Sequence, residues 1–189
     1  MSIEFFEKQA EAWKVSHETK AVADIIVRDL IDRESKFILD LGCGKGVLRN
    51  CFKKYVPRAS VFYIDKAFKM IKGLKEAYPN EFAIRGEGEN IPFINEKFDA
   101  IIIFNSFPHF DDKGKVLSES YRVLKRKGKL IIAHSMPPEE INKMHREIGG
   151  AIANHFLPEK KIFIQMLKKA GFKEIKYFVS NYFYVIGKK

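Results

Sequence analysis

Near the start of the chain apolar residues recur three and four positions apart. This predicts helices over 5–15 and 18–31, the second with Ala21, Val22, Ile25, Ile26 and Leu30 on one face. From residue 36 the pattern changes. Short, nearly continuous apolar runs predict strands at 36–41, 60–65, 81–85, 98–104 and 129–134. Between and after them, amphipathic stretches predict helices at 47–55, 67–77, 111–124, 137–150 and 159–170. Pro57 stops the first of these, and the Gly149-Gly150 pair and Gly171 close the last two. Two final strands, 172–179 and 182–187, are joined by a tight Ser180-Asn181 turn, which only an antiparallel pair can use.

Strands that read as apolar on both faces and alternate with helices belong to a parallel sheet covered on both sides. The expected fold is therefore α/β: a three-layer, doubly wound, mostly parallel seven-stranded sheet with an antiparallel C-terminal hairpin. No repeat, low-complexity tract or linker interrupts the pattern, so 1–189 reads as a single domain. Within it, 1–33 forms N-terminal helices acting as a lid, 36–134 the ligand-binding core, 135–158 a cap over the substrate, and 159–189 the last helix and hairpin.

Composition narrows the class of protein. A hydrophobic fraction of 46% with 31% charged residues is that of an ordinary soluble domain. No apolar run approaches the roughly 18 residues of a membrane helix, and the start, MSIEFFEKQAEAW, is acidic and polar where a signal peptide is basic and then apolar. A cytoplasmic site with no membrane partner is the resulting expectation. Cys43 and Cys51 have no further His or Cys at metal-ligand spacing, so neither a metal site nor a disulfide framework is indicated. The net charge of +10 invites a nucleic-acid partner. Its lysines are scattered, however, mostly near predicted helix ends where cations favour the helix dipole.

In such folds ligands bind beyond the carboxyl ends of the strands, and three motifs fall there. The first, ILDLGCGKG, ends a strand on Asp40 and opens into Gly42, Gly44 and Gly46 around Cys43. Glycines there allow positive φ and let backbone approach a ligand without a Cβ in the way. A dinucleotide fingerprint wants glycine at position 47 and a P-loop wants lysine there; the residue is Val47. Asp40 would repel a pyrophosphate but suits a ligand carrying an ammonium group. The second motif, FYID, ends the next strand on Asp65, where a carboxylate can accept both hydroxyls of a ribose, or cap the following helix. The third, Glu87-Gly88-Glu89-Asn90, offers a carboxylate to an adenine amino group, or is an ordinary polar turn.

Together DLGCGKG, YIDKAFKMI, GEGENIPF leading into FDAIIIFNSFPHF, and SYRVLKRKGKLIIA resemble the class I S-adenosylmethionine-dependent methyltransferases. The likeness is greatest to the small-molecule type that includes the quinone-biosynthesis enzymes. It covers about residues 36–134, with GFKEIKYF and YFYVIGKK matching the family's last strands. The resemblance implies the Rossmann-like methyltransferase fold, S-adenosyl-L-methionine as cofactor and S-adenosyl-L-homocysteine as product. It also implies that Asp40, Gly42, Cys43, Gly44 and Gly46 line the methionyl moiety and that Asp65 holds the ribose. Lys66 and Met70 would flank the adenine, Glu87 and Gly88 would lie at its amino edge, and Asn105 would face the methionine end. Two positions depart from the family pattern: Glu87 stands for the usual Asp, and Arg126-Lys127-Gly128 for the usual Pro-Gly-Gly turn.

Methyl transfer from a sulfonium is an in-line displacement, for which the protein chiefly aligns the reactants and excludes water. A general base is needed only when the acceptor keeps its proton late into the reaction. His109, in NSFPHF after the fourth strand, is the leading candidate, and His134, ending the fifth, is the second. The acceptor pocket is expected from Phe5, Phe6 and Trp13 and from the cap, with Met136, His145, Ile148 and His155. His134, His145 and His155 are spaced like no metal-ligand set. Asn105-Ser106-Phe107-Pro108 lacks the Pro-Pro-aromatic motif of amino-methylating nucleic-acid enzymes, which favours a small-molecule acceptor. RNA methylation and cofactor binding without catalysis are the competing readings. A monomer or homodimer is expected.

Overall fold

The computed structural model describes residues 2–189; Met1, the first residue of the N-terminal lid segment, lies outside them. The strands are β1 (Phe37–Leu41), β2 (Ser60–Asp65), β3 (Phe82–Arg85), β4 (Phe98–Phe104), β5 (Leu124–His134), β6 (Lys173–Val179) and β7 (Phe183–Lys188). They form one sheet in the order β3-β2-β1-β4-β5-β7-β6. Every pairing from β3 to β5 is parallel, and β7 runs antiparallel to both β5 and β6. The helices are α1 (Ser2–Gln9), α2 (His17–Leu30), α3 (Arg49–Tyr55), α4 (Phe68–Ala77), α5 (Lys113–Val123), α6 (Pro138–Ile148) and α7 (Lys160–Lys169).

Alternation along each strand divides the core in two. Ile38, Ala100, Ile102, Ile131 and Ala133 face α2, α3 and α4, meeting Ile26, Val27, Phe52 and Leu74. Leu39, Leu41, Ile101, Ile103, Leu130 and Ile132 face α5, α6 and α7, meeting Val116, Leu117, Ile141, Phe163 and Leu167. β4 is therefore covered on both sides, and each of its fully buried isoleucines contributes about 1.5–3 kcal/mol. The three-layer, mostly parallel arrangement read from the sequence is the one the chain adopts.

Local expectations shift in several places. The first helix ends at Gln9 instead of running to 15. Ser16 holds extended backbone (φ −67°, ψ 163°) as the N-cap of α2, with its hydroxyl accepting from Thr19 N–H at 3.1 Å, so the chain before it cannot continue as helix. Helix α2 buries Val22, Ala23, Ile26 and Val27, a face rotated from the expected one, and leaves Ala21 exposed. Helix α3 begins at Arg49, not 47, because Gly46 in the preceding turn has φ +81°. β5 starts at Leu124 instead of 129: the register slips between Phe98 and Ala100, and the expected 126–128 turn is absorbed as a bulge with Lys127 at φ +67°. The last hairpin closes through three residues, with Val179 facing Phe183 and Ser180 N–H donating to the Tyr182 carbonyl at 2.8 Å.

Among the described residues no helix is long and apolar enough to cross a membrane.

Candidate functional site

Strand order reverses at β1, between β2 and β4, so the connections leaving the carboxyl ends of β1 and β4 diverge and open a crevice. A cavity of about 720 Å³ lies there, a size suited to small-molecule ligands. Its floor is the turn after β1. Gly42, Gly44 and Gly46 have φ of +74°, +53° and +81°, the left-handed region in which a Cβ is strained. The N–H groups of Gly42 and Cys43 donate to the Ile64 carbonyl at 2.8 and 3.0 Å and pin the turn to the end of β2. The glycines serve different ends. A methyl group on Gly42 would stand 2.4 Å from Ser106 Oγ, so Gly42 lets β1 and β4 exits touch. One on Gly44 would meet nothing within 4 Å, because that position opens onto the cavity.

Asp65 ends β2 at the cavity wall. Its Oδ2 accepts from Gly44 N–H at 2.8 Å and its Oδ1 from Ala67 N–H at 2.9 Å. It thus ties the glycine turn to the residue before α4 and faces the cavity, with lone pairs left over. Burial raises its pKa, against the lowering effect of the two N–H donors. Asp40 lies one layer deeper, outside the lining. Burial, and then the charge of Asp65, push it well above the usual carboxylate range, and its Oδ2 has no partner. Cys43 lines the cavity floor between Gly42 and Gly44, and burial pushes its thiol up, so it stands there as a small uncharged group.

Lys66, Met70 and Gly88 line the cavity. Glu87 does not: it turns out to Lys66, whose Nζ lies 3.4 Å from Glu87 and 3.3 Å from Asp111. The neighbouring Glu89 lines it instead, accepting from the N–H groups of Asp111 and Asp112 at 3.0 and 3.3 Å. Phe110 packs so closely that a methyl on Gly88 would reach its ring at 2.6 Å. Asn105, in the left-handed region at φ +55°, lines the cavity, but its amide is used across the strand ends. Its Oδ1 accepts from Ser135 N–H at 2.8 Å and its Nδ2 donates to Ser135 Oγ at 3.0 Å.

The roof comes from the N-terminal segment. Ile3, Phe6 and Trp13 line the cavity, whereas Phe5 packs edge-on against Phe6 outside it. Ser16, Lys20 and Asp24, one helical turn apart, and Thr19 complete that wall; they are functional candidates the sequence reading missed. The signal was present as a polar stripe along one edge of the buried face of α2, with Thr19 three and four positions before Val22 and Ala23. The expected contribution of 135–158 is corrected: none of its residues lines the cavity, and the segment stands behind His109 instead.

His109 sits on the single turn Phe107–His109 after β4 and lines the cavity, with the Phe6 ring edge-on at 4.8 Å. Its Nδ1 is 3.0 Å from His155 Nδ1. Burial and the neighbouring His145, His155, His134 and Lys113 push it down to about 2, leaving a neutral ring. His134 is placed elsewhere. It points to the α5–α7 side of the sheet beside Phe183, outside the cavity, and burial pushes it down to about 3. Among the described residues no three His, Cys, Asp or Glu side chains are arranged to hold a metal ion.

The His134 environment gives a stability prediction. A folded pKa of about 3 lies below the unfolded value of about 6.5, so the unfolded chain binds the extra proton first and stability falls as pH drops below about 6.5. His134→Leu should remove about 2 kcal/mol of the loss between about pH 7.5 and pH 5. Urea unfolding of both proteins at the two pH values reads this directly. An unchanged gap between them would show that His134 accepts a proton in the folded state.

A protein family described as "Methyltransferase domain" matches residues 39–132, which spans β1 to β5. A demethylmenaquinone methyltransferase of Thermotoga maritima is 29% identical over 152 residues, covering 80% of this chain and 64% of the relative. The Thermus thermophilus enzyme of the same name is 33% identical over 140 residues, covering 67% and 64%. The chain thus spans slightly under two thirds of the length of each of these relatives. A solved structure from Thermotoga maritima, described as a SAM-dependent methyltransferase, superposes with a TM-score of 0.78 at 20% identity, covering 100% of this chain and 98% of that one.

Proposed function

We propose that the chain is a class I S-adenosylmethionine-dependent methyltransferase that transfers a methyl group from S-adenosylmethionine to a small-molecule acceptor. The names of the relatives support an aromatic, hydroxylated ring of the quinol kind as that acceptor. The observation that carries the reading is the cradle at Gly44. Backbone opens there directly onto the cavity, beside the Asp65 carboxylate. Such a floor suits a ligand with a ribose and an amino-acid end, and a phosphate there would meet the Asp65 carboxylate.

When bound, the sulfonium supplies a methyl group already activated for displacement. The protein's residues do the rest. Asp65 accepts the ribose hydroxyls, Met70 and Lys66 flank the base, and the turn from Gly42 to Gly46 wraps the amino-acid end. Phe6 and Trp13 close the acceptor side, where excluding water and fixing the approach direction supply the main acceleration. His109 is the ring at the cavity wall placed to take the acceptor's proton, and with its pKa pushed down to about 2 it must pass that proton on instead of keeping it.

Calorimetry with S-adenosylmethionine, S-adenosylhomocysteine and NAD tests the cofactor. Binding of the first two and not of NAD is expected; NAD binding alone overturns the reading. Transfer of radiolabelled methyl to cell metabolites, run with and without ribonuclease, tests the acceptor class. Label that survives ribonuclease and partitions into organic solvent is expected, whereas label lost with the RNA identifies a nucleic-acid substrate.

A further inference from the structure

Three of the chain's five histidines converge behind the cavity wall although 46 positions separate the first from the last. His109 lines the cavity, and His145 and His155 stand behind it with ring centroids 4.9 and 5.3 Å from its own. The arrangement is built. His145 Nδ1 donates to the backbone carbonyl of His155, and Asn142, one turn earlier on α6, holds Leu157 twice, donating to its carbonyl at 3.1 Å and accepting from its N–H at 2.8 Å. Helix α6 thereby fixes 155–157 at both ends, and places His155 Nδ1 3.0 Å from His109 Nδ1.

Two imidazole nitrogens at that distance share one hydrogen, so one ring carries N–H at Nδ1 and the other is bare there. His155 is less deeply buried than His109 and does not line the cavity; in water an imidazole prefers its hydrogen on Nε2, leaving Nδ1 as acceptor. That makes His109 the donor. With Nδ1 occupied by its hydrogen and turned to His155, the nitrogen His109 keeps for the cavity is a bare Nε2.

We propose that His155 is a positioning residue for the transfer reaction, locking His109 in the Nδ1–H tautomer so that Nε2 serves as general base toward a hydroxyl acceptor. The inference rests on the methyltransferase reading for its chemistry, though not for its geometry. In the step, the acceptor O–H bond breaks and its proton goes to His109 Nε2. The electron pair is released from oxygen into the acceptor's ring, so that a ring carbon forms the bond to the methyl carbon as the carbon–sulfur bond breaks and its pair returns to sulfur; that ring carbon then loses its own proton and the oxygen regains one, which restores the aromatic ring. The positive charge lost from sulfur arrives at His109, where burial and the neighbouring rings disfavour it, and the hydrogen bond to His155 Nδ1 is the route by which the Nδ1 proton passes to the less buried ring. Without His155, the ring is free to take the other tautomer, whose Nε2–H is useless as a base.

Long-range ¹⁵N–¹H spectra of the imidazoles in the full-length, ¹⁵N-labelled chain test the assignment, with His109 identified by loss of its signals in His109→Gln. Wild type should give His109 as protonated Nδ1 and bare Nε2, with the Nδ1 proton protected from exchange. His155→Asn, whose amide oxygen stands near the position of Nδ1, should retain that pattern. His155→Phe, which keeps the ring's bulk and removes the acceptor, should lose the protected proton and the fixed tautomer. Protonated Nε2 on His109 in wild type overturns the proposal even if the Phe variant does not fold, as does an unchanged His109 spectrum in a folded Phe variant. Calorimetry with S-adenosylhomocysteine on the same samples separates the two readings: absence of binding removes the methyltransferase function and leaves the tautomer result standing by itself.

Discussion

Gly42→Ala is expected to destabilise the protein by about 2–5 kcal/mol. A residue with a Cβ held in left-handed backbone costs about 1–2 kcal/mol, and forcing an extra methyl into packed surroundings adds about 1–3. Both apply at Gly42, with φ +74° and a new methyl only 2.4 Å from Ser106 Oγ and 2.6 Å from Ser106 Cβ. Ser106 cannot simply turn aside, because its Cβ is one of the two clashing atoms and its hydroxyl donates to the Leu41 carbonyl at 3.2 Å. Adding Ser106→Gly should return the packing part of the loss and leave the backbone part. Gly44→Ala is the contrast: its φ of +53° carries the backbone cost, but its methyl enters the open cavity. It should leave most of the stability intact and abolish S-adenosylhomocysteine binding. Urea midpoints for the three variants check the ranking; a Gly42→Ala protein as stable as Gly44→Ala would contradict the close β1–β4 approach.

The second large effect is expected at Asp65. Asp65→Ala should weaken S-adenosylhomocysteine binding by about 1–3 kcal/mol, roughly 5- to 150-fold, through loss of charge-assisted hydrogen bonds to the ribose. The same change frees the N–H groups of Gly44 and Ala67, so the cradle loosens as well. Asp65→Asn should not rescue it. An amide offers one acceptor, while two backbone N–H donors on separate oxygens need two. Burial raises the Asp65 pKa, and ribose hydroxyls donate to the charged form, so affinity should decline as pH falls through that raised value. Calorimetry at a few pH values gives both results. Equal affinity in wild type and Asp65→Ala would remove Asp65 from the site.

Much of this was legible because it is local. A strand buried on both faces must be continuously apolar, so β4 could be read from FDAIIIF. Asp40 and Asp65 could be placed at strand ends because the apolar runs stop there. Even the fate of His134 could have been read: it shares parity with Leu130 and Ile132, and so faces α5–α7, away from the cavity. The choice between Glu87 and Glu89 could not. It turns on a polar loop whose one bridge, Glu87 to Asn90, leaves no periodic trace.

The sheet, its helices and the glycine turn that faces the cavity could be read from the chain, since periodicity, turn residues and strand termini are properties of neighbouring positions. Tertiary structure alone decided what stands above and behind that turn. The break after Gln9 brings Phe6 and Trp13 over the cavity, and α6 carries His155 to within 3.0 Å of His109. These contacts join residues tens of positions apart, and they form because α1 and α6 bury their own apolar faces. The pattern of a helix states that it has such a face; it does not state which part of the molecule that face will meet.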